Sequence, residues 1–482
     1  MTKLLQPDLC VIGAGSGGLS VVAAARAFGV SVVLIEKGKM GGDCLNYGCV
    51  PSKSLLAAAR RAHEMRNATP FGLQSVDPVI DFAAVRRHVR GVIDSIAPID
   101  SEERFRDLGA QVIRAHARFF GKDTLEAGGF TIKARRIVVA TGSSPVIPPI
   151  PGIDTVEVLT NETIFDVAEL PRHLAILGGG PVGVELAQAF RRLGAQVTVL
   201  DRGRILKKED ADLADVTLAS FRRDGVDLRP NTTLSRVEKH PGGLRLHLAS
   251  AGKPSTLEAS QSTLEASHLL VAAGRRPNVT DLGLEAAGVE FNEQGIKVDN
   301  SLRSVSNSLI YAVGDVAGGA QFTHAANYHA GLVLRPILFR APAKVRPEII
   351  PRVTYTDPEI AAVGATEEEA RMLPGKHRVL RWQIADNDRA RAEHETEGFI
   401  KVIAGTGGKI LGVAIVGRNA GELIHIWALA IAQNLSLKDM TSYVAPYPTV
   451  GEIGKRVSVS YFEAMTRKPI VRGLLGGLRL FG

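Results

Sequence analysis

Along the chain, short apolar runs alternate with glycine-rich breaks. Residues 8–12 form one such run, and it stops at Gly13-Ala14-Gly15-Ser16-Gly17-Gly18. Small residues at 19–28 then predict a helix that Gly29 ends, and the β-branched run 31–35 predicts a buried strand closing on Glu36. The same order returns downstream. Residues 173–177 predict a strand, Gly178-Gly179-Gly180-Pro181-Val182-Gly183 the turn, 185–193 a helix ended by Gly194, and 196–200 a strand closing on Asp201. The acid stands equally far from the first glycine in both copies, 13 to 36 and 178 to 201. A second phrase also repeats: Ile137-Val138-Val139-Ala140-Thr141-Gly142-Ser143 parallels Leu269-Leu270-Val271-Ala272-Ala273-Gly274-Arg275. Each predicts a buried strand ending in a tight glycine turn. The duplication predicts two dinucleotide-binding units in one chain.

Turn-rich segments divide the rest. Pro148-Pro149-Ile150-Pro151-Gly152 and Arg346-Pro347 mark boundaries. Beyond 347, strand patterns at 399–403 and 410–416 and a helix at 421–433 predict a third, α+β domain. The expected fold class is therefore α/β, with two Rossmann-like domains and a C-terminal α+β domain. The expected division is 1–152 and 280–346 for the first nucleotide-binding domain, 153–279 for the second, 347–465 for the third, and 466–482 for a tail. The sequence STLEAS at 255–260 recurs at 262–267, and we read it as a surface β-excursion without functional role.

Composition narrows the class. At 482 residues, the chain is too long for one core and fits about three domains. Hydrophobic residues make up 45% and charged residues 22%, which excludes disorder as the dominant state. The net charge of +8 suits anionic ligands such as nucleotides. It is dispersed, with no basic arm or aromatic-interleaved patch, so nucleic acid is not an expected partner. Three cysteines do not make an extracellular disulfide framework. The uncharged stretch 9–25 is interrupted by glycines and lacks a basic leader, so neither a signal peptide nor a membrane span is expected. A cytoplasmic location follows as the expectation.

The candidate chemistry lies at the glycine turns and at two cysteines. Gly13, Gly15 and Gly18, and again Gly178, Gly180 and Gly183, let backbone N–H groups approach a pyrophosphate at a helix N-terminus. Glu36 and Asp201 stand where a carboxylate would accept hydrogen bonds from an adenosine ribose. Cys44 and Cys49 lie five apart in Gly41-Gly42-Asp43-Cys44-Leu45-Asn46-Tyr47-Gly48-Cys49-Val50-Pro51-Ser52-Lys53. On a regular helix they would point about 140° apart, so a bridge needs a distorted segment, which Gly48 permits. A metal site would need further ligands that the neighbouring sequence lacks, so no metal is expected. Two inert core cysteines fit poorly with flanking Gly and Asn. Paired redox thiols are the preferred reading.

That segment resembles the redox-active motif of the class I pyridine nucleotide–disulfide oxidoreductases, a family that includes dihydrolipoamide dehydrogenase, glutathione reductase and mercuric reductase. The resemblance extends to Ala140-Thr141-Gly142-Ser143, to Ala273-Gly274-Arg275-Arg276-Pro277, to Tyr311-Ala312-Val313-Gly314-Asp315, and to Tyr355-Thr356-Asp357-Pro358-Glu359 in the third domain. It implies FAD in the first unit, with Gly13, Gly15, Gly18, Glu36, Lys37, Gly42, Lys53, Ala117, Thr141, Gly142, Ser143, Asp315, Thr323, His324 and Ala325 around it. It implies NADH or NADPH in the second, held at Gly178, Gly180, Gly183, Glu185, Asp201, Arg202 and Gly274. Lys53 would stand by the flavin N5 and pair with Glu185. The resemblance further implies a homodimer whose active site is shared between subunits. Hydride would pass to the flavin, then electrons to the Cys44–Cys49 disulfide and on to a small-molecule or protein-bound disulfide. Cys49 would face the flavin and Cys44 would attack the substrate.

One motif departs from the pattern. The disulfide reductases of the family carry a C-terminal His-Pro-Thr base steered by a Glu. Here the run is Tyr447-Pro448-Thr449, with Glu452 in place. A phenol with a pKa near 10 donates protons but is a poor base at neutral pH. Mercuric reductase also lacks this His but carries an extra C-terminal cysteine pair, and no cysteine follows Cys49 here. Alternative readings are thus a reductase of a quinone or metal ion and a slow-turnover redox-sensing flavoprotein. Asp201 favours NADH, whereas Arg202 and Arg204 would accommodate a 2′-phosphate. The tail, with Arg467, Lys468, Arg472 and Arg479 among leucines and no acid, suits either the dimer interface or weak contact with an anionic membrane.

Overall fold

The computed structural model describes residues 3–250, 261–466 and 469–481. The first STLEAS copy, Arg467 and Lys468 lie outside the described residues. The chain divides into two compact units. The first comprises 1–68, 74–204 and 226–345; the second comprises 69–73, 205–225 and 346–482.

In the first unit, a five-stranded parallel sheet runs in the order Ile310–Ala312, Arg136–Val139, Leu9–Ile12, Val32–Glu36, Gln111–Arg114. Its strands are apolar on both faces because both are covered. Leu9 and Val11 join one core cluster, and Cys10 and Ile12 the other. A four-stranded parallel sheet repeats the theme: Asp227–Arg229, Gln196–Leu200, His173–Leu177, His268–Val271. In both sheets the strand before the glycine turn lies between the strand that closes on the acid and the strand of the second shared phrase. The duplication is therefore one of topology as well as of sequence.

Each sheet also carries an antiparallel excursion. In the second it is the meander Thr232–His240, Gly243–Ser250, Gln261–Ala266, which includes most of the second STLEAS copy. The helix after the second turn spans Pro181–Arg192 and so starts before the expected 185. Proline is favoured at a first helical position, where its missing N–H goes unused.

The second unit is built on a five-stranded antiparallel sheet, Arg352–Thr354, Glu359–Gly364, Ile410–Gly417, Phe399–Ala404, Arg378–Gln383. The helix expected over 421–433 forms as two pieces, Ala420–Leu423 and His425–Ala432, with Trp427 in the core. Residues 205–225 pack with this unit, although they fall within the sequence span of the second nucleotide-binding domain. Leu213, Ala214 and Phe221 are buried there, Thr217 and Ser220 donate to Pro358 O and Asp357 O, and ion pairs add to these contacts. Lys401 of the sheet, 1% exposed, lies 2.6 Å from Asp210, 2.8 Å from Asp212 and 3.4 Å from Glu367.

Candidate active site

The two glycine turns are built alike. Gly13 and Gly178 adopt positive φ, and a Cβ on either would collide with the carbonyl oxygen of Ala140 or Ala272. Those alanines belong to the repeated second phrase, so the two shared phrases are packing partners. A Cβ at Gly18 would strike the Gly13 carbonyl, and one at Gly183 the Gly178 carbonyl. Gly15 and Gly180 are different. A Cβ at Gly180 would meet nothing within 4 Å, and one at Gly15 only Gly42 Cα, at 3.9 Å. Both cap helices, Ser16–Ala27 and Pro181–Arg192, that have no side-chain cap. Open glycine cradles with uncapped helical N–H groups fit a pyrophosphate.

The acids brace these turns. Glu36 accepts hydrogen bonds from Ala14 N at 2.6 Å and Gly38 N at 2.5 Å. Asp201 accepts from Gly179 N and Gly203 N, both at 2.8 Å. Arg202 and Lys37 are exposed beside them. Ala117 is a core side chain under the first sheet. Gly142 and Gly274 both have positive φ, and Thr141 donates to Asn278 O.

The thiols sit at a helix break. Gly42–Asn46 and Cys49–Arg66 are separate helices, and Gly48 between them has φ −120° and ψ −109°. A Cβ at Gly48 would lie 2.9 Å from Asp43 Oδ2. A Cβ at Gly42 would lie 2.7 Å from Gly15 Cα, which fixes this segment against the first turn. Cys49 is the first residue of its helix, where the dipole favours a thiolate. Both thiols are free. The hydrogen bond from Cys44, together with Thr323 and the Lys53 charge, pushes Cys49 down to about 6. Cys44, holding the shared proton and partly buried, is pushed up.

The predicted residues around the thiols converge. Thr323 Oγ1, at the start of helix Thr323–Phe339, is 3.3 Å from Cys49 Sγ. His324 stacks on Phe322, and Ala325 is buried. Lys53 Nζ lies 2.7 Å from Glu185 of the second turn's helix, which is 5% exposed. Asp315 accepts from Ser143 Oγ at 2.5 Å, and burial raises its carboxyl.

Some partners were not foreseen. Arg275 donates to Ser143 Oγ at 2.8 Å and pairs with Asp43 at 3.2 Å; Asn161 donates to Asp43 at 3.0 Å. An acid directly before Cys44 was the available signal. In the second unit, Tyr447 OH donates to Asp388 at 2.9 Å, and this bond raises the phenol further above its usual value. Glu452 holds Arg456 at 2.6 Å, one turn along its own helix. Tyr447 is 69% exposed. Asp388 had no local sequence signal.

Among the described residues no group of three or more His, Cys, Asp or Glu is placed to hold a metal ion, and no helix is long and apolar enough to cross a membrane. Comparison with known proteins places this geometry. Residues 7–330 match the pyridine nucleotide-disulphide oxidoreductase family, and 350–457 match its dimerisation domain. Mercuric reductase of Bacillus cereus is 34% identical over 95% of this chain and 71% of its own length. Dihydrolipoyl dehydrogenase of Bacillus subtilis is 32% identical over 92% of this chain and 96% of its own. The solved Cu(II) complex of the HOCl-induced flavoprotein disulfide reductase RclA from Escherichia coli superimposes with a TM-score of 0.82 at 27% identity, covering 93% of this chain and 99% of that one.

Proposed function

The chain belongs to the FAD-dependent pyridine nucleotide-disulphide oxidoreductases, and from that premise we propose that it reduces an oxidising metal ion, such as Hg(II) or Cu(II), with electrons from NADH. Family membership makes it a flavoenzyme that uses FAD and NAD(P)H, and the dimerisation domain makes it a homodimer.

In this reading residues 1–152 and 280–346 hold FAD. Gly15 and the helix it caps take the pyrophosphate, Glu36 the adenosine ribose, and Asp315 a ribityl hydroxyl. Residues 153–279 hold the nicotinamide nucleotide. Asp201, fixed by two backbone bonds, presents a negative charge that disfavours a 2′-phosphate. Bound FAD would supply hydride uptake from the nicotinamide and two-electron delivery to the Cys44–Cys49 disulfide. The residues' own part is protonic. Lys53 and Glu185 keep a compensated charge pair beside Cys49. Thr323 and the helix N-terminus support the Cys49 thiolate, and Cys44 retains the proton.

The observation that carries the choice of acceptor is the Tyr447–Asp388 bond. Disulfide exchange needs a base to generate and reprotonate the attacking thiolate. A phenol that already donates to a carboxylate is a donor, not a base. Loss of a positioned acid–base typically costs about 10²–10⁴ in rate. Reduction of a metal ion makes no such demand: one NADH reduces one Hg(II) to Hg(0), or two Cu(II) to Cu(I), releasing NAD⁺ and a proton. We place the enzyme in the cytoplasm, where reduced nicotinamide nucleotide is available.

The test is steady-state NADH and NADPH oxidation with Hg(II), Cu(II), lipoamide and glutathione disulfide in turn. Metal-dependent turnover should exceed disulfide turnover by about 10²-fold, and Tyr447→His should raise the disulfide rate by a comparable factor. Lipoamide turnover as fast as the metal-dependent rate in the wild type would overturn the reading.

A further inference from the structure

We propose that Asp43 and Arg275 form a charge pair that tunes the thiol–thiolate balance of Cys44 and Cys49, with Arg275 the positioning residue that neutralises Asp43. The inference rests on the reading of these cysteines as the redox pair.

Asp43 stands on the first of the two sulfur-bearing helices, Gly42–Asn46, beside the break that leads to the second. Asp43 immediately precedes Cys44. Its Oδ2 faces the Gly48 break, where an added Cβ would approach to 2.9 Å, directly before Cys49. Its Oδ1 takes Arg275 at 3.2 Å and Asn161 Nδ2 at 3.0 Å. Arg275 also reaches Asn161 Oδ1 at 3.3 Å, Ser143 Oγ at 2.8 Å and Ser143 O at 2.7 Å, so its guanidinium is held on three sides. Its side chain is 19% exposed, against 39% for Asp43.

The other charges facing the thiols are accounted for. Lys53 lies on the helix that Cys49 begins and is paired with Glu185 from the second turn's helix. Asp315 is turned to Ser143. Thr323, from its own helix, supplies a neutral hydroxyl. The Cys44–Cys49 hydrogen bond, burial and Thr323 act most strongly on the thiols, and the Asp43 charge adds to them, disfavouring a thiolate at both sulfurs. The effect is graded by how completely Arg275 cancels it. With Asp43 compensated, Cys49 holds the thiolate; with Asp43 bare, the thiolate is opposed at both positions.

The experiment measures thiolates directly. Reduced holoenzyme is treated anaerobically with iodoacetamide from about pH 5 to 8, and alkylation at Cys44 and Cys49 is mapped by peptide mass. Only the thiolate reacts, so below the midpoint each unit of pKa shift changes the rate about tenfold. At about pH 5, Asp43→Asn should alkylate Cys49 faster than wild type, and Arg275→Gln slower, each by up to about tenfold, one pKa unit. Arg275→Lys, which keeps the charge but not the fork, should stay within about twofold.

An unchanged rate in Asp43→Asn would overturn the inference, because that isostere keeps acceptor contacts to Arg275 and Asn161. Equal slowing in Arg275→Lys and Arg275→Gln would overturn it too, since then the fork and not the charge would matter. Alkylation needs no electron acceptor. An NADH titration that found the cysteines out of circuit would overturn the functional reading and leave these rates standing.

Discussion

A Cβ at Gly183 would collide with the Gly178 carbonyl, whereas one at Gly180, three residues earlier, would meet nothing within 4 Å. The two glycines therefore serve different ends. Gly183 lets the helix pack on its own turn; Gly180 leaves room for a ligand. Gly183→Ala should destabilise the protein by about 1–3 kcal/mol, as overpacking does, read as a fall in the thermal midpoint. Gly180→Ala, whose φ of −79° suits any residue, should leave that midpoint unchanged and raise KM for NADH. A lowered midpoint with unchanged KM in Gly180→Ala would remove the cradle assignment. The spacing marks all six glycines as turn positions but does not divide them: only the fold shows that Gly13, Gly18, Gly178 and Gly183 face backbone carbonyls while Gly15 and Gly180 leave open space. The pairing of Asp43 with Arg275 was not legible from spacing either, since nothing local marks residues 43 and 275 as neighbours.

Among the elements, the helix Ala211–Asp224 combines a buried apolar face with ion pairs to a buried cation. Lys401 lies in the central part of the second unit's sheet and is held by Asp210, Asp212 and Glu367; Arg381 adds a second cation to Asp212 at 2.7 Å. Burial tends to raise the Asp212 carboxyl, but the bonds and charges of Lys401 and Arg381 outweigh it and hold it below its usual value. Lys401→Met should therefore cost about 3–5 kcal/mol in denaturant unfolding near neutral pH, as removal of one partner of a buried pair does. An acid whose folded pKa is depressed contributes stability above its unfolded pKa and loses it as pH falls. The difference between wild type and Lys401→Met should thus shrink below about pH 4. A difference that stays constant from pH 7 to pH 3 would contradict this account. Hydrogen exchange over 211–224 should rise in the variant. From sequence these residues fall within the second nucleotide-binding domain, because helical periodicity reveals an apolar face but not which unit that face and its flanking charges will join.

At the scale of the whole molecule, the C-terminal helix is an exposed apolar feature of the single chain. Helix Pro469–Leu478 forms despite Gly473, Gly476 and Gly477, and it presents Ile470, Leu474, Leu475 and Leu478 to solvent in the single chain. We expect the partner subunit to cover this face. A chain cut after Tyr461 should then sediment partly as monomer, while full-length and cut chains bind anionic liposomes equally. Stronger liposome binding by the full chain would favour a membrane surface instead. Tyr447, also exposed in the single chain, belongs to the same question.

By itself the sequence determined the two nucleotide-binding units, the acids that close them and the cysteine segment. Each of these is a local device: glycines at fixed offsets, a β-branched strand, an acid at the strand end, a break at Gly48 between two thiols. Resemblance to a family added the expected pairing of Lys53 with Glu185, which stand 2.7 Å apart, and the expectation that Tyr447 occupies the place of a histidine. What only the tertiary structure decided are the partners of charges. Asp43 meets Arg275, Tyr447 turns to Asp388, Glu452 turns to Arg456, and Lys401 gathers Asp210, Asp212 and Glu367. Hydrophobic periodicity records which face of an element is buried, but it carries no information about which charged side chain will find a partner there. That pairing is set where strands and helices far apart in the chain are brought within about 4 Å.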